Sequence, residues 1–293
     1  MTKARSFRNP DALCSTAALA ARLDDPGLRI FDCTTWLIAD SDDDPYRVVS
    51  ALPEYRQGHI PGSAYLDLQA ELSDTGSRFR FTMPGPEALA AAFGRHGIGE
   101  DDEVVLYSRG SLQWSARIWW MLRAIGFDRA AILDGGWEKW EREGRPVRDG
   151  DERYPAASLA ARPRQGLFVD SAAVLAAIRD SGTRIVDALS PQSHAGQSRR
   201  YGRPGRITSS VNVPAASLRD PDTLELLSPD AAAAAFAAVG VDADTPVIVY
   251  CGGGIAASMD AFMLHQLGND RVAVYDNSLN EWASDPAFPM ERD

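Results

Sequence analysis

The sequence predicts an α/β protein with two similar domains in tandem, each a parallel sheet flanked by helices. Five segments recur in the same order in the two halves of the 293-residue chain, from LRIFD to AAILDGGWEKW and from TRIVD to VAVYDNSLNEW. Their short apolar runs are continuous rather than alternating, as in parallel strands buried on both faces. Stretches with apolar residues at helical spacing separate these runs, which indicates alternating strands and helices.

The predicted elements follow one another in the same way in each half. The first strand is LRIFD or TRIVD, the first turn segment is GHIPGS or GRITSS, and the first clear helix is PEALAAAFGRHG or SPDAAAAAFAAVG. A second strand, EVVLY or PVIVY, leads through a loop into a second helix, and a third strand ends in DGGW or DNSL. Trp140 and Trp282 fill equivalent places and are predicted core residues. Gene duplication explains this internal repeat.

The chain is longer than a typical single domain, so two domains are expected. We predict domains at residues 1–148 and 167–293, joined by a linker at residues 149–166. The linker region is polar, rich in proline and without periodicity, which is typical of a segment that runs between domains.

Composition and charge exclude several classes of protein. The net charge of -11 argues against a nucleic-acid partner and against an anionic membrane surface. No apolar run is long enough for a membrane span, and the N-terminal segment lacks the apolar core of an export signal. The three cysteines, Cys14, Cys33 and Cys251, are far apart, which predicts free thiols in a reducing, cytoplasmic compartment. Neither a metal nor an organic cofactor is expected.

The segment PVIVY-CGGGIAAS places Cys251 at the carboxyl end of a predicted strand, where open parallel sheets bind ligands. The glycines that follow lack Cβ atoms, so several N–H groups can point at one spot beside a helix N-terminus. This setting predicts a lowered pKa for the Cys251 thiol and a stabilised persulfide anion. The alternative is that Cys251 is a small buried apolar residue. The predicted loop comprises Cys251, Gly252, Gly253, Gly254, Ile255 and Ala256.

A glycine-rich loop between a strand and a helix also suggests phosphate binding. The segment has neither the Lys-Ser/Thr ending of a P-loop nor the G-x-G-x-x-G spacing of a dinucleotide site. A phosphatase with a nucleophilic cysteine would place an arginine shortly after it, but Ile255, Ala256, Ala257 and Ser258 follow here. Phosphate chemistry is therefore poorly supported.

GHIPGS, the paired strand ends DGGW and DNSL, and a cysteine loop only in the second half resemble the tandem rhodanese family of thiosulfate and 3-mercaptopyruvate sulfurtransferases. The loop is more similar to the C-G-S-G-V-T form of the mercaptopyruvate enzymes than to the C-R-K-G-V-T form. The resemblance implies two rhodanese-like domains, of which the first, with Ser108 at the cysteine position, is inactive. It also implies that Cys251 takes sulfur from a small anionic donor and passes it to cyanide or a thiol, such as a small thiol or a thioredoxin-like protein.

Several positions depart from the family pattern. The family serine two residues after the cysteine is replaced by Gly253, and the acid from the first domain is replaced by Gln69. Two arginines that hold the donor correspond to Leu189 and Ser193. Ser278 matches a family serine whose hydroxyl supports the loop.

We expect the basic run RRYGRPGR to replace the missing arginines, through Arg199, Arg200 and Arg203. The alternative is that this run is only a solvated turn. Arg206, at the position of the histidine in GHIPG, is expected to be structural. The predicted substrate-binding residues are Arg199, Arg200, Arg203, His194 and Gln69, and the supporting residues are Ser278 and Asp187. Loss of both family arginines also leaves open a non-catalytic sulfur carrier or interaction module.

Overall fold

The computed structural model describes residues 6–41, 43–180 and 182–293, and it contains two five-stranded parallel sheets. The elements of the first domain are, in chain order, a 3-10 helix (Pro10–Ala12), β1 (Leu13–Cys14), α1 (Thr16–Ala20), β2 (Leu28–Asp32), β3 (Thr35–Ile38), β4 (Arg47–Ser50), α2 (Leu52–Gln57), β5 (Ser63–Tyr65), α3 (Leu68–Glu71), α4 (Pro86–Arg95), β6 (Glu103–Tyr107), α5 (Gln113–Ala124), β7 (Ala130–Leu133) and α6 (Gly136–Arg142).

The second domain repeats most of this order, with a short helix in place of the β3–β4 hairpin. Its elements are β8 (Phe168–Val169), α7 (Ser171–Arg179), β9 (Arg184–Asp187), α8 (Pro191–His194), β10 (Arg206–Ile207), β11 (Val211–Asn212), a 3-10 helix (Ala215–Leu218), α9 (Pro229–Ala237), β12 (Val247–Tyr250), α10 (Ile255–Gln266), β13 (Val272–Tyr275), α11 (Ser278–Trp282) and β14 (Met290–Glu291).

The strand order is the same in both sheets. The first sheet runs β1-β7-β6-β2-β5 and the second runs β8-β13-β12-β9-β11. All residues of β7, β12 and β13 are buried, because helices cover both faces of each sheet. This explains why the strand sequences are continuously apolar, and it confirms the predicted α/β fold with two tandem parallel sheets.

Two tryptophans show how closely the halves match. Trp140 and Trp282 are both fully buried. The indole N–H of Trp140 donates to the Pro146 carbonyl at 2.8 Å, and that of Trp282 donates to the Pro289 carbonyl at 2.9 Å. The prediction that the two rings fill equivalent core positions is confirmed.

The segment between α6 and β8 forms neither helix nor strand and packs along the first domain. The backbone N–H of Ala157 donates to Gly94 at 2.8 Å, and that of Arg162 donates to Ile125 at 2.7 Å. The Tyr154 ring meets Phe31 edge-on, with centroids 5.5 Å apart. These contacts agree with a connecting segment here, while the domain limits at 148 and 167 stay a prediction.

The two domains face each other through α5 and α10, where Trp119 meets Phe262 edge-on at 4.8 Å between centroids. The carboxylates that follow β7 and β13 each accept a backbone N–H of the opposite domain. Asp134 accepts from Leu226 at 2.8 Å, and Asp276 accepts from Met83 at 2.7 Å. A loop of the first domain is thereby held against the strand end beside Cys251. Within the described ranges, no helix has the length and apolar character needed to cross a membrane.

Candidate active site

Cys251 lies directly after β12 and before α10, at the carboxyl edge of the second sheet, and only 2% of its surface is exposed. The Ser278 hydroxyl oxygen accepts the N–H groups of Cys251 at 3.0 Å and of Gly254 at 3.2 Å. The same hydroxyl donates to the Tyr275 carbonyl at 2.7 Å. One side chain from the neighbouring strand end therefore fixes both ends of the cysteine loop.

The turn that carries Ser278 is hydrogen-bonded to the cysteine loop. Ser278 has φ of 50°, in the left-handed region that is uncommon for a residue with a Cβ. This conformation is stabilised by neighbouring bonds, because the N–H of Leu279 donates to the Cys251 carbonyl at 3.0 Å. The N–H of Asn280 likewise donates to the Gly252 carbonyl at 2.8 Å. The loop and the turn thus form one hydrogen-bonded unit.

Two of the loop glycines are required by close approach. A Cβ on Gly252 would lie 2.2 Å from the Tyr201 hydroxyl oxygen, so this phenol sits directly over the loop. Gly254 has φ of 76°, and a Cβ there would lie 2.6 Å from the Asp276 carbonyl oxygen. Tyr201 lies 50 residues before Cys251 in the chain, and no sequence motif indicates that it would cover the loop.

Burial raises the pKa of the Cys251 thiol above its ordinary value, although N–H groups of Ala257, Gly253 and Ala256 act in the opposite direction. The negative charge of Asp187 adds to the increase. The expected lowering of the pKa is therefore wrong. Enclosure of the thiol between the domains removes the water that would stabilise a thiolate, and this effect exceeds that of the N–H groups.

The raised pKa predicts how the reactivity of Cys251 varies with pH. The thiolate is the reactive form, and below the pKa its fraction rises about tenfold per pH unit. We therefore expect the rate of Cys251 alkylation by a neutral reagent to rise with a slope near one between about pH 6 and pH 9, without a plateau near neutrality. Peptide mapping of alkylated protein at successive times gives the rate. A plateau at neutral pH would contradict the raised pKa.

Asp187 and His194 form a pair at the end of β9. Asp187 is fully buried, and His194 Nδ1 lies 2.9 Å from its Oδ2. The other carboxylate oxygen accepts the N–H of Leu189 at 3.0 Å. Asp187 lies opposite Tyr250, the residue before Cys251, in the sheet, so the pair lies near the cysteine loop. Donor binding by His194 and a supporting role for Asp187 stay predictions.

The four arginines of the basic run RRYGRPGR have different roles. Arg203 and Arg206 hold the backbone or form ion pairs, whereas Arg199 and Arg200 lie near the first domain. The Arg203 guanidinium donates to four backbone carbonyls, those of Trp282, Ala283, Asp285 and Phe288. This geometry does not support donor binding by Arg203, because four of its N–H donations hold the chain at and after the end of α11.

Arg206 forms ion pairs with Glu291 at 3.1 Å and with Asp293 at 2.7 Å, in agreement with its expected structural role.

Arg199 and Arg200 lie near the first domain. Arg199 is exposed, and its backbone N–H donates to Asp43 Oδ1 at 2.7 Å. Arg200 donates to the Ser41 carbonyl at 3.2 Å and lines a cavity beside the loop. Binding of the donor by Arg199 and Arg200 stays a prediction, with Arg200 the better placed of the two.

Gln69 has a different role from the expected one. Its side-chain oxygen accepts the N–H of Phe81 at 3.1 Å. Phe81 belongs to the first-domain loop that packs against Asp276, so Gln69 holds that loop in place. The prediction that Gln69 itself contacts the donor is not supported by this geometry.

Arg117 is a residue that the sequence reasoning missed. It lies on α5, is fully buried, and pairs with Asp276 Oδ1 across the domain interface at 2.6 Å. It also donates to the Phe81 carbonyl at 2.7 Å. The only signal in the sequence is a single arginine within an otherwise apolar helix face, a pattern that indicates a paired buried charge.

A cavity of about 310 Å³ opens beside the loop. A Cβ on Gly253 would lie 2.6 Å from Asn280 Nδ2 and 3.6 Å from the Tyr46 hydroxyl, so these two side chains occupy the space next to Gly253. The described residues that line the cavity are Pro45, Tyr46, Arg78, Phe79, Arg80, Arg200, Asn280 and Ser284. Among the residues described, no His, Cys, Asp or Glu cluster is arranged to hold a metal ion.

Comparison with known proteins gives consistent results. A rhodanese-like domain is matched twice, at residues 15–143 and 171–285. The chain is 32% identical to a 3-mercaptopyruvate sulfurtransferase of Escherichia coli K12, over 93% of this chain and 95% of that protein. It is 30% identical to a thiosulfate sulfurtransferase of Rattus norvegicus, over 92% and 91%. The crystal structure of SseA from Escherichia coli, described as a 3-mercaptopyruvate sulfotransferase, superposes with a TM-score of 0.78 at 31% identity and covers 91% of this chain and 98% of SseA.

Proposed function

Since the chain belongs to the rhodanese family and carries its domain twice, we propose that Cys251 is the residue that carries sulfur in a sulfurtransferase reaction. The observation that supports this most is the loop geometry. The Ser278 hydroxyl holds the loop through the N–H groups of Cys251 and Gly254, and the N–H groups of Gly253, Ala256 and Ala257 favour the charged form of the buried Cys251 sulfur. A persulfide anion there would be stabilised by the same N–H groups.

We propose that the first domain supplies no nucleophile for the reaction. Ser108 occupies the position of Cys251 there, and its hydroxyl is held between the Ser111 carbonyl at 2.7 Å and the Ser115 hydroxyl at 2.8 Å. No histidine or acid lies within hydrogen-bonding distance of this hydroxyl in the described part of the chain. A serine without a base is not activated as a nucleophile.

In the first half-reaction, the Cys251 thiolate attacks the transferable sulfur of the donor. A sulfur–sulfur bond forms, and the bond between that sulfur and the rest of the donor breaks. The bonding electrons leave with sulfite when the donor is thiosulfate. With 3-mercaptopyruvate they leave with the pyruvate enolate, which then takes up a proton to give pyruvate. The enzyme is left as a Cys251 persulfide.

In the second half-reaction, an acceptor attacks the outer sulfur and restores the Cys251 thiolate. Cyanide or a thiol can serve, and we propose a small thiol or a thioredoxin-like protein as the acceptor. All three cysteines are free, which suits a reducing compartment such as the cytoplasm. These steps need no metal or organic cofactor.

We propose 3-mercaptopyruvate as the preferred donor over thiosulfate. The loop is similar to the form found in mercaptopyruvate enzymes, and the Escherichia coli relative at 32% identity carries that activity in its name. The residue after Cys251 is glycine, as in the C-G-S-G-V-T form of the mercaptopyruvate enzymes. Tyr201 occupies the space that a larger side chain at this position would need.

Intact mass spectrometry tests this function directly. After incubation with 3-mercaptopyruvate or thiosulfate and rapid desalting, we expect the protein to gain the mass of one sulfur atom, located by peptide mapping at Cys251. A thiol reductant should remove it. If neither donor adds sulfur to Cys251 while the protein is folded, the proposed function is wrong.

The same experiment separates an enzyme from a sulfur carrier. A carrier would accept sulfur only from a partner protein. The residues Leu189 and Ser193, which stand where the family has donor-holding arginines, favour this second candidate, because a small anionic donor would be held less tightly without them. Sulfur loading by a small donor at catalytic rates would exclude the carrier. Loading only by a persulfide-bearing protein would support it.

A further inference from the structure

The cavity beside the cysteine loop is strongly cationic in a chain whose net charge is -11. Three arginines line it, namely Arg78 and Arg80 of the first domain and Arg200 of the second. None of the described lining residues is acidic. Guanidinium groups gathered around one space are a usual arrangement for binding carboxylates and other oxyanions.

Arg78 and Arg80 are held by aromatic rings rather than by carboxylates. The Arg80 guanidinium lies over the Tyr46 ring, 5.0 Å from its centroid, and also donates to the Tyr46 carbonyl. The Arg78 guanidinium lies 4.5 Å from the centroid of Phe79. Among the described residues, neither arginine has a carboxylate partner within ion-pair distance. Stacking on a ring leaves the guanidinium edge open for an incoming anion.

The loop that carries these arginines is held in a defined conformation. Phe81 has a buried ring and φ of 63°, which is strained for a residue with a Cβ. Its N–H donates to Gln69 and its carbonyl accepts from Arg117. The strain persists because these bonds determine the backbone on both sides of Phe81, so the backbone next to Arg80 is held while the Arg80 side chain stays exposed.

The cavity borders the cysteine loop through two side chains that line it. Asn280 donates to the Tyr46 hydroxyl at 3.2 Å, and both line the cavity. Both also lie next to Gly253, whose N–H acts on Cys251. A ligand in the cavity would therefore lie against the two side chains that border Gly253.

We propose that this cavity binds the anionic group of the sulfur donor, with Arg78 and Arg80 as specificity-determining residues that select carboxylate-bearing organic donors over thiosulfate. The arginines supply the charge that Leu189 and Ser193 cannot. In an organic donor several bonds separate the carboxylate from the transferred sulfur. The carboxylate can therefore extend past Gly253 towards the cavity while the sulfur lies at Cys251. In thiosulfate the oxygens are borne by the atom next to that sulfur. The inference rests on the proposed function.

The test compares the Arg78→Gln, Arg80→Gln double variant with the parent protein on both donors. A charge-assisted contact corresponds to roughly tenfold or more in binding, so we expect kcat/KM for 3-mercaptopyruvate to fall about 100-fold, mainly through KM. For thiosulfate the fall should be less than about tenfold. Arg179→Gln is the matched control, because Arg179 is exposed at the C-terminal end of α7, at the sheet edge away from Cys251. It should change neither value.

The first half-reaction separates a failure of this inference from a failure of the proposed function. At saturating 3-mercaptopyruvate, the double variant should still gain sulfur at Cys251 in intact mass spectra, since only donor binding is weakened. An unchanged KM for 3-mercaptopyruvate, or equal losses with both donors, would overturn the inference while parent loading still supports the function. A parent protein that gains no sulfur would instead overturn the function.

Discussion

Replacement of Cys251 by serine should abolish sulfur transfer with every donor and leave the fold intact. Serine is close in size to cysteine and its hydroxyl fits the same buried position, but oxygen cannot carry a transferable sulfane sulfur. Loss of a covalent nucleophile lowers kcat on the order of 10⁴-fold or more. Steady-state kinetics with 3-mercaptopyruvate and thiosulfate, together with intact mass spectra, would measure the loss.

The other two cysteines are the controls. Cys33 is fully buried and burial raises its pKa well above the usual value, and Cys14 lies half-buried on the edge strand β1. Cys33→Ser and Cys14→Ser should keep most of the activity, with a modest loss of stability for the buried position. If the Cys33 variant were inactive and Cys251→Ser active, the assignment of the site would be wrong.

The fold was predictable because its signals are local and occur twice. Continuous apolar strands followed by helical periodicity are visible in each half, and the recurrence of the same order makes a chance pattern untenable. The β3–β4 hairpin was not predicted. In the part of the chain that the structure describes, it occurs only in the first domain, so the repeat offers no second copy from which to infer it.

The position of Cys251 was also predictable, because a strand, a run of glycines and a helix follow each other directly in the sequence. Its pKa was not. The N–H groups that favour the thiolate are local, whereas the burial that outweighs them comes from tertiary packing around the loop, including that of Tyr201. The local sequence shows which N–H groups surround the thiol. It contains no information on how deeply the thiol is buried.

The donor-binding residues were the hardest to predict, because each depends on distant contacts. Arg203 belongs to a basic run, yet its partners are carbonyls at and beyond the end of α11. Arg80 lies in a polar loop far along the chain from Cys251 and reaches the site only through the domain interface. Charge in a sequence is visible, but the direction in which a side chain points is decided by tertiary packing.

Replacement of Arg117 by methionine should be strongly destabilising. Methionine fills a similar volume but leaves the Asp276 carboxylate, whose side chain is only 14% exposed, without its partner at 2.6 Å. The Phe81 carbonyl also loses a donor. Breaking one half of a buried ion pair costs about 3–5 kcal/mol. Urea denaturation should show this loss, and because the pair joins the two domains, alkylation of Cys251 should become faster.

A matched control and a double variant show whether the loss of stability comes from the broken ion pair. Arg123 lies on the same helix, and its pair with Asp128 is more exposed, so Arg123→Met should cost less than about 1 kcal/mol. Combining Arg117→Met with Asp276→Asn should recover part of the loss, because no unpaired charge then remains buried. If Arg117→Met cost no more than Arg123→Met, the ion pair would contribute little to holding the domains. The conformation of the loop at Phe81 would then have to be maintained by Gln69 and packing alone.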